Sequence, residues 1–334
     1  MCIKHNQWPM PQVGRHRLAG PMTLMAHVSY LNKKQTFSPR HETSCRYINI
    51  MVCCQMSLRW GIVSAGKICH DFVNAFNSYP HVGDQVIAAV AAGDQARAEQ
   101  FAKTHGIGKV FASYNDMAKS KDVDVVYIGA LNPDHYNLSK LFLESGKHVL
   151  CEKPLCLNYK QSESLIKIAK SKGLFLMEAV WSRFAPSYIA LEKEIAAGNL
   201  GDVQFVEVNF GVPIISVPRL GAVLDIGIYT LQFAQYIFKD EPITVTARGE
   251  LNEDGVDIVD TVILEYAGGR RAVLNINATI KLWNKATVVG TKGRATVRFF
   301  MGISNMWKFW EGLNQYLYNN RYVICSTAEH KLLI

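Results

Sequence analysis

The 334-residue chain reads as an α/β protein: a doubly wound parallel sheet comes first, then an α+β domain with an open antiparallel sheet. Three observations predict this. Short apolar strands alternate with amphipathic helices from Leu58 to Met177, a small-residue turn joins the first strand to the first helix, and strand patterns dominate after Glu178. Parallel strands need a crossover long enough for a helix, so alternation at this spacing means a parallel sheet.

The elements follow in order. Leu58 to Val63 is a strand, Ser64 to Gly66 a turn, and Lys67 to Asn77 a helix with Ile68, Phe72, Ala75 and Phe76 on one face. Val86 to Ala91 is the second strand, and Asp94 caps a helix through Phe101 to His105 that Gly106 closes. Val123 to Ile128 is a strand, after which Asn132 is a cap with Pro133 at the first helical position, in a helix ending at Gly146. His148 to Cys151 is a strand, Asn158 and Gln161 form a capping-box pattern opening a helix with Leu165, Ile166, Ile168 and Ala169 inward, and Leu174 to Met177 is a strand.

The second domain opens with a helix from Phe184 to Ala197. Strands follow at Val203 to Phe210, Ile243 to Leu251, Ile258 to Tyr266, Arg271 to Ile280, Ala286 to Val289 and Arg294 to Arg298, interrupted by one helix, Val223 to Phe238. The expected organisation is 56–180 as a dinucleotide-binding domain and 181–298 as a substrate and dimerisation domain. Residues 1–55 are expected to be disordered or a non-native extension, and 299–334 an atypical tail.

Composition narrows the function. The net charge of +8 is concentrated in residues 1–56, which hold seven Lys/Arg against Glu42 alone, leaving +2 for the body. A body so nearly neutral has no basic footprint for nucleic acid. No run of 18 apolar residues exists, so no membrane-spanning helix is expected. The eight cysteines have no paired C-x-x-C spacing and no accompanying histidine spacing for zinc, which predicts reduced, mostly buried thiols, no metal and a cytoplasmic location.

Three short stretches carry chemistry. Gly61-Ile-Val-Ser64-Ala-Gly66-Lys67-Ile68-Cys69 is a degenerate dinucleotide fingerprint, with Ser64 and Cys69 in its first and last small positions. Gly66 would let the backbone approach a pyrophosphate, and the helix start at Lys67 and Ile68 would supply amide donors and positive dipole; the alternative is a merely tight turn. At the second strand's tip, Asp94 either accepts from a ribose hydroxyl or caps its helix, and no arginine stands at this tip to pair with a 2′-phosphate. Cys151-Glu152-Lys153-Pro154 delivers a lysine just past a strand's carboxyl end, where open α/β sheets bind ligands. Asp225 and Tyr229, four residues apart, share a face of the second domain's helix start. A phenol near the lysine would have its pKa lowered and could move a hydroxyl proton, unless Tyr229 is simply core and Asp225 a cap.

Met56-Ser-Leu-Arg-Trp-Gly-Ile-Val-Ser64, Cys151-Glu-Lys-Pro154, Leu174-Phe-Leu-Met-Glu-Ala-Val-Trp181-Ser-Arg183-Phe184 and Leu224-Asp-Ile-Gly-Ile-Tyr229 together resemble the glucose-fructose oxidoreductase and inositol dehydrogenase family. Within it the likeness is to the branch of dimers that oxidise trans-dihydrodiols to catechols, or D-xylose to its lactone, with NADP. The resemblance runs from Met56 to Arg298. It implies a Rossmann domain followed by an α+β domain whose open sheet face pairs two subunits. It implies that Lys153 orients nicotinamide and substrate hydroxyl, that Tyr229 is the acid/base and that Asp225 supports the pair. Glu152 and Pro154 would shape the loop, and Trp181, Arg183 and Phe184 would line the substrate and cofactor side. Asn132, Pro133 and His135 match the loop near the nicotinamide ribose.

Three departures accompany the likeness. Gly93 stands where this branch usually has arginine, which leaves NAD open as an alternative to NADP. Residues of a glycine-rich approach are missing between Arg219 and Gly221, and the closing elements after Arg298 are not matched, which predicts exposed apolar surface on the sheet. Two functions follow: an NAD(P)-dependent oxidoreductase of diols or aldoses, or a catalytically impaired dinucleotide-binding or subunit-pairing protein.

Overall fold

The computed structural model describes residues 58–78, 85–214 and 221–298; the expectations for 1–57, for the approach before Gly221 and for everything beyond Arg298 lie outside them. The chain forms two compact units. Among the described residues, one holds those up to Cys151 and regains Leu165–Met177; the other takes Glu152–Ser164 and those from Glu178 to Arg298.

The first unit is built on a six-stranded parallel sheet in the order β3-β2-β1-β4-β5-β6. Its strands are β1 (Leu58–Val63), β2 (Gln85–Ala91), β3 (Lys109–Phe111), β4 (Val125–Ile128), β5 (His148–Glu152) and β6 (Leu176–Ala179). β1 and β4 are almost wholly buried, as expected of central strands covered by helices on both faces. Trp60, fully buried in β1, satisfies its indole by donating to Gln85 Oε1 at 2.9 Å. The helices are α1 (Lys67–Ser78), α2 (Gln95–His105), α3 (Tyr114–Lys119), α4 (His135–Glu144) and α5 (Tyr159–Lys172).

β3 and α3 add to the expected elements, both being too short to display a period. α1 is turned from its expected face: its buried residues are Cys69, Val73 and Phe76 rather than Ile68, Phe72 and Ala75. Phe72 instead lies flat on Tyr127, ring centroids 3.8 Å apart. Asn132 is not a side-chain cap: Asn132–Asp134 form a tight turn with no capping bond, and the α-helix begins at His135.

The second unit has a six-stranded sheet in the order β12-β11-β7-β10-β9-β8. The strands are β7 (Val203–Gly211), β8 (Thr244–Leu251), β9 (Asp257–Glu265), β10 (Arg271–Asn277), β11 (Lys285–Gly290) and β12 (Arg294–Arg298). This sheet is mixed, not purely antiparallel, because β7 and β10 run parallel. The chain leaving β10 passes the end of β7 and returns on its far side as β11, antiparallel to it. One face carries the core, including Val206, Val208, Phe210, Leu274 and Ile276, against α7 (Ile228–Phe238). Helix α6 (Pro186–Ala196) contributes Tyr188 and Leu191 to the same core.

Candidate active site

In the first unit the turn after β1 has dinucleotide-binding geometry. Ser64 adopts φ 88°, the left-handed region that side chains resist, which is why the fingerprint has glycine there. Its amide donates to Ala91 O at 2.8 Å, tying the turn to the tip of β2. The Gly66 carbonyl accepts the amide hydrogens of Cys69 and His70 at 3.0 and 3.3 Å, so the first helical turn closes on Gly66, and Lys67 and Ile68 head α1. A methyl on Gly66 would meet nothing nearer than Gly129 O at 3.7 Å and Ser64 Oγ at 3.8 Å. The protein's own packing therefore does not demand this glycine, and the open space beside it suits a pyrophosphate at a helix amino terminus. The last small position has an internal cause: a Cβ on Gly129 would lie 2.5 Å from Cys69 Sγ and 2.9 Å from Ile68 Cγ2, so helix and strand touch there.

The loop after β4 supplies a second feature suited to a bound group. The side-chain nitrogen of Asn132 is buried with no hydrogen-bond partner, a costly state unless a bound group accepts from it. His135, expected in the same role, is fully buried with Nε2 3.0 Å from Ala130 O, where it shapes the loop. Pro133 and Asp134 complete the tight turn at its surface.

Asp94 caps α2, its carboxylate accepting the Arg97 amide at 3.1 Å. Arg97, three residues on, faces back toward the cap, and its Nη2 donates to Ala65 O at 3.3 Å. It borders an open cleft of about 350 Å³ lined also by Ala65, His70, Asp94 and Gln100. The one-turn spacing from Asp94 was the available signal.

The second unit gathers Lys153, Asp225, Tyr229 and Trp181 from three distant parts of the chain. Lys153 follows directly on β5, and its peptide bond to Pro154 is cis. Its Nζ donates to Asp225 Oδ1 at 2.7 Å and to Asp225 O at 2.8 Å. Asp225 lies in a wide, π-type turn, Val223–Gly227, that runs straight into α7; such turns redirect backbone carbonyls out of the helical ladder. Tyr229, in the first turn of α7 and buried, accepts a hydrogen bond from Trp181 Nε1 at 2.9 Å. The Lys153 ammonium lies 5.4 Å from the Tyr229 ring centroid, within cation–π range.

Electrostatics correct one expectation. Burial pushes the Tyr229 phenol up to about 12, against the opposing pull of Lys153 and of the Trp181 hydrogen bond. The lysine does act downward, as its charge requires, but desolvation of a phenolate in the core is the larger effect. For Lys153 itself burial opposes the charge, yet Tyr229, Asp225 and Glu152 together outweigh it and raise the amine above its ordinary value. The site therefore holds a cation and a neutral phenol at physiological pH.

Glu152 Oε2 accepts the Lys153 amide at 3.2 Å. Glu178, which the sequence reading passed over, accepts the Leu155 amide at 2.8 Å and so anchors the loop that carries Lys153. Burial raises its carboxyl above the usual range, with the Leu155 amide, Arg183 and Lys153 pulling the other way. An acid inside the apolar run Leu174-Phe-Leu-Met-Glu-Ala179 was the signal for it. Arg183 lies over the Tyr236 ring at 5.5 Å, and Phe184 ends the short turn that begins at Trp181. Among the described residues no group of three or more His, Cys, Asp or Glu could hold a metal ion.

Residues 58–180 match the family described as "Oxidoreductase family, NAD-binding Rossmann fold", and residues 188–296 match "GFO/IDH/MocA C-terminal domain". Among curated relatives, a trans-1,2-dihydrobenzene-1,2-diol dehydrogenase of Xenopus laevis is 44% identical over 254 residues, covering 74% of this chain and 77% of that protein. One of Homo sapiens with the same name is 43% identical over 246 residues, covering 71% and 73%. Among solved structures, an aldose-aldose oxidoreductase from Caulobacter crescentus complexed with glycerol superposes with a TM-score of 0.66 at 25% identity, covering 74% of this chain and 79% of that one. A 3-ketoreductase from Actinomadura kijaniata in complex with NADP and TDP-benzene gives a TM-score of 0.65 at 25% identity, covering 72% and 76%.

Proposed function

The chain belongs to the GFO/IDH/MocA oxidoreductase family, and from that premise we propose that it is an NAD(P)-dependent dehydrogenase of trans-dihydrodiols or aldoses such as D-xylose. The carrying observation is the convergence of Lys153, Asp225, Tyr229 and Trp181 in one unit. The names of its relatives, dihydrodiol dehydrogenases and an aldose oxidoreductase, support the substrate class.

The dinucleotide would be held by Ser64, Gly66, Lys67 and Ile68 at the α1 amino terminus and by the unpartnered Asn132 amide. When bound it supplies a nicotinamide that accepts or gives hydride at C4. Lys153 spends two of its three ammonium hydrogens on Asp225, and the third is directed to the substrate oxygen. The Tyr229 hydroxyl takes its hydrogen bond from Trp181, which leaves its own hydrogen to pass to a carbonyl oxygen during reduction. In oxidation the same oxygen receives the hydroxyl proton as the carbinol carbon loses hydride. Asp225 keeps the lysine charged and oriented. Trp181, with its ring 5.7 Å from that of Tyr229, and Phe184 offer an aromatic wall suited to a diol ring or the apolar face of a sugar.

NADP is the preferred cofactor in this reading, with Arg97 taking the part that Gly93 cannot. Replacing Arg97 by alanine is expected to weaken NADPH binding about tenfold, the value of one exposed charge-assisted bond, and to leave NADH binding unchanged. Fluorescence titration with each nucleotide reads both, and equal losses for the two would remove Arg97 from phosphate recognition.

We further propose a homodimer paired through the face of the second sheet opposite its core, where the cross-strand pairs Phe205–Val289 and Val273–Ile263 lie partly exposed. Light scattering at twice the chain mass supports it, and the single-chain mass rejects it. No helix among the described residues is long and apolar enough to cross a membrane, and the buried thiols of Cys69, Cys151 and Cys156 suit the reducing cytoplasm. The deciding assay follows nicotinamide absorbance with a trans-dihydrodiol and with D-xylose. Cofactor binding without turnover on either would select the catalytically impaired dinucleotide-binding protein instead.

A further inference from the structure

The wide turn that carries Asp225 has no side-chain cap of its own. What holds its head comes from 34 residues away in the chain: Asp257, the first residue of β9, accepts the Val223 amide on Oδ2 at 2.7 Å. A carboxylate on a backbone N–H is among the stronger hydrogen bonds. Gly221 is fitted to it, since a Cβ there would lie 1.5 Å from Asp257 Oδ1. The Gly221 carbonyl in turn accepts the Asp225 amide at 3.0 Å. At the far end of the turn Gly227 sits against Ile276, whose Cδ1 would be 2.8 Å from an added Cβ. The turn is thus pinned electrostatically at its head and sterically at its tail, with Asp225 between.

We infer that Asp257 is a positioning residue, which fixes the turn through the Val223 amide so that Asp225 presents both its carboxylate and its carbonyl to Lys153. The inference rests on the oxidoreductase reading for its catalytic consequence, although the geometry stands without it. The ionisable neighbours are few. Asp260 lies beside Asp257, with burial, then the charge and hydrogen bond of Asp257, pushing its carboxyl up to about 6. Around Lys153 stand Asp225, Tyr229 and Glu152, and Glu178, which also interacts with Arg183. Losing Asp257 removes none of the charges around Lys153; it removes the tether that holds one of them in place.

Asp257→Ala in the full chain is expected to lower kcat/KM about 10- to 100-fold, the usual consequence of a small misplacement at a reacting centre, with NADPH binding unchanged. Asp257→Asn should recover most of this, because its side-chain oxygen still accepts the Val223 amide. A merely structural role would not move the titration of Lys153. That titration is read as the pH midpoint of its acylation by acetic anhydride, followed by peptide mass spectrometry. With Asp225 no longer held against the ammonium, the charged form loses support and the midpoint falls; Asp257→Asn should keep it at the wild-type position. This readout needs no turnover. A wild-type chain that lacks turnover but shows the shift in Asp257→Ala overturns the oxidoreductase reading alone. An unshifted midpoint in Asp257→Ala overturns the inference. If that variant does not fold, Gly221→Ala displaces the same carboxylate by contact, and the same two outcomes decide.

Discussion

Replacing Lys153 by methionine is expected to lower kcat by about 10²- to 10⁴-fold, the range over which a group acting on the proton of a reacting hydroxyl contributes, while NADPH still binds. The methionine stem keeps most of the volume, so the variant tests charge and donor rather than packing. The Lys153 ammonium carries two bonds to Asp225 and faces the Tyr229 ring, so its removal both strips the substrate oxygen of its cation and leaves Asp225 without a partner. Asp225 retains about a quarter of its side-chain exposure, and water can solvate the orphaned carboxylate, which keeps the stability cost moderate. Loss confined to kcat identifies an interaction made in the transition state, whereas a rise in KM alone would mean simple substrate binding. Lys153→Arg should not rescue, because a planar guanidinium cannot reproduce a compact three-donor ammonium in a pocket already fitted around it. Turnover within a few-fold of wild type in Lys153→Met would remove this residue from the chemistry.

Much of this arrangement could be read from residue order, and the part that could not has definable causes. Parallel strands such as β1 and β4 were legible because a strand buried on both faces is a continuous apolar run. The Asp94 cap and the Gly106 closure of α2, with φ 68°, were legible because both are local chemistry. The orientation of α1 was not, because Ile68, Phe72 and Phe76 spell an apolar face as well as Cys69, Val73 and Phe76 do, and only tertiary packing, which buries the second set, decides between them. The parallel pairing of β7 with β10 depends on which side of β7 the chain returns, a choice that leaves no mark in either strand. At the candidate site, short motifs singled out Lys153 and Tyr229, which the structure brings within 5.4 Å of each other. Arg97, Glu178 and Asp257 were not singled out, since each matters through a backbone group that tertiary structure brings to it. The pKa of Tyr229 failed in sign for the same reason: sequence spacing gave the lysine's pull and could not weigh it against burial.

That sign has a measurable consequence in the pH profile, and Tyr229→Phe is the variant that isolates it. With its phenol held up near 12, Tyr229 is protonated throughout the physiological range. Carbonyl reduction, which needs the proton donor, should therefore be nearly independent of pH below that value. Oxidation of the diol or sugar needs the base form, whose fraction grows about tenfold with each pH unit below the pKa, so kcat/KM for oxidation should climb with a logarithmic slope of about one through neutral and mildly alkaline pH. Phenylalanine keeps the ring contacts with Trp181 and with Phe210, whose centroid is 5.6 Å away, and it keeps the face presented to Lys153. What it loses is the hydroxyl, and with it the hydrogen bond from Trp181 Nε1, worth about 0.5–1.5 kcal/mol in stability, and the proton relay. The expected result is a folded protein with a lower melting temperature, kcat reduced by about 10²- to 10⁴-fold in both directions, and no pH slope in the residual oxidation. A surviving slope in Tyr229→Phe would assign the proton to another group. Lys153 could be that group only by giving up the charge that Asp225 is placed to preserve, so such a slope should then vanish in Lys153→Met.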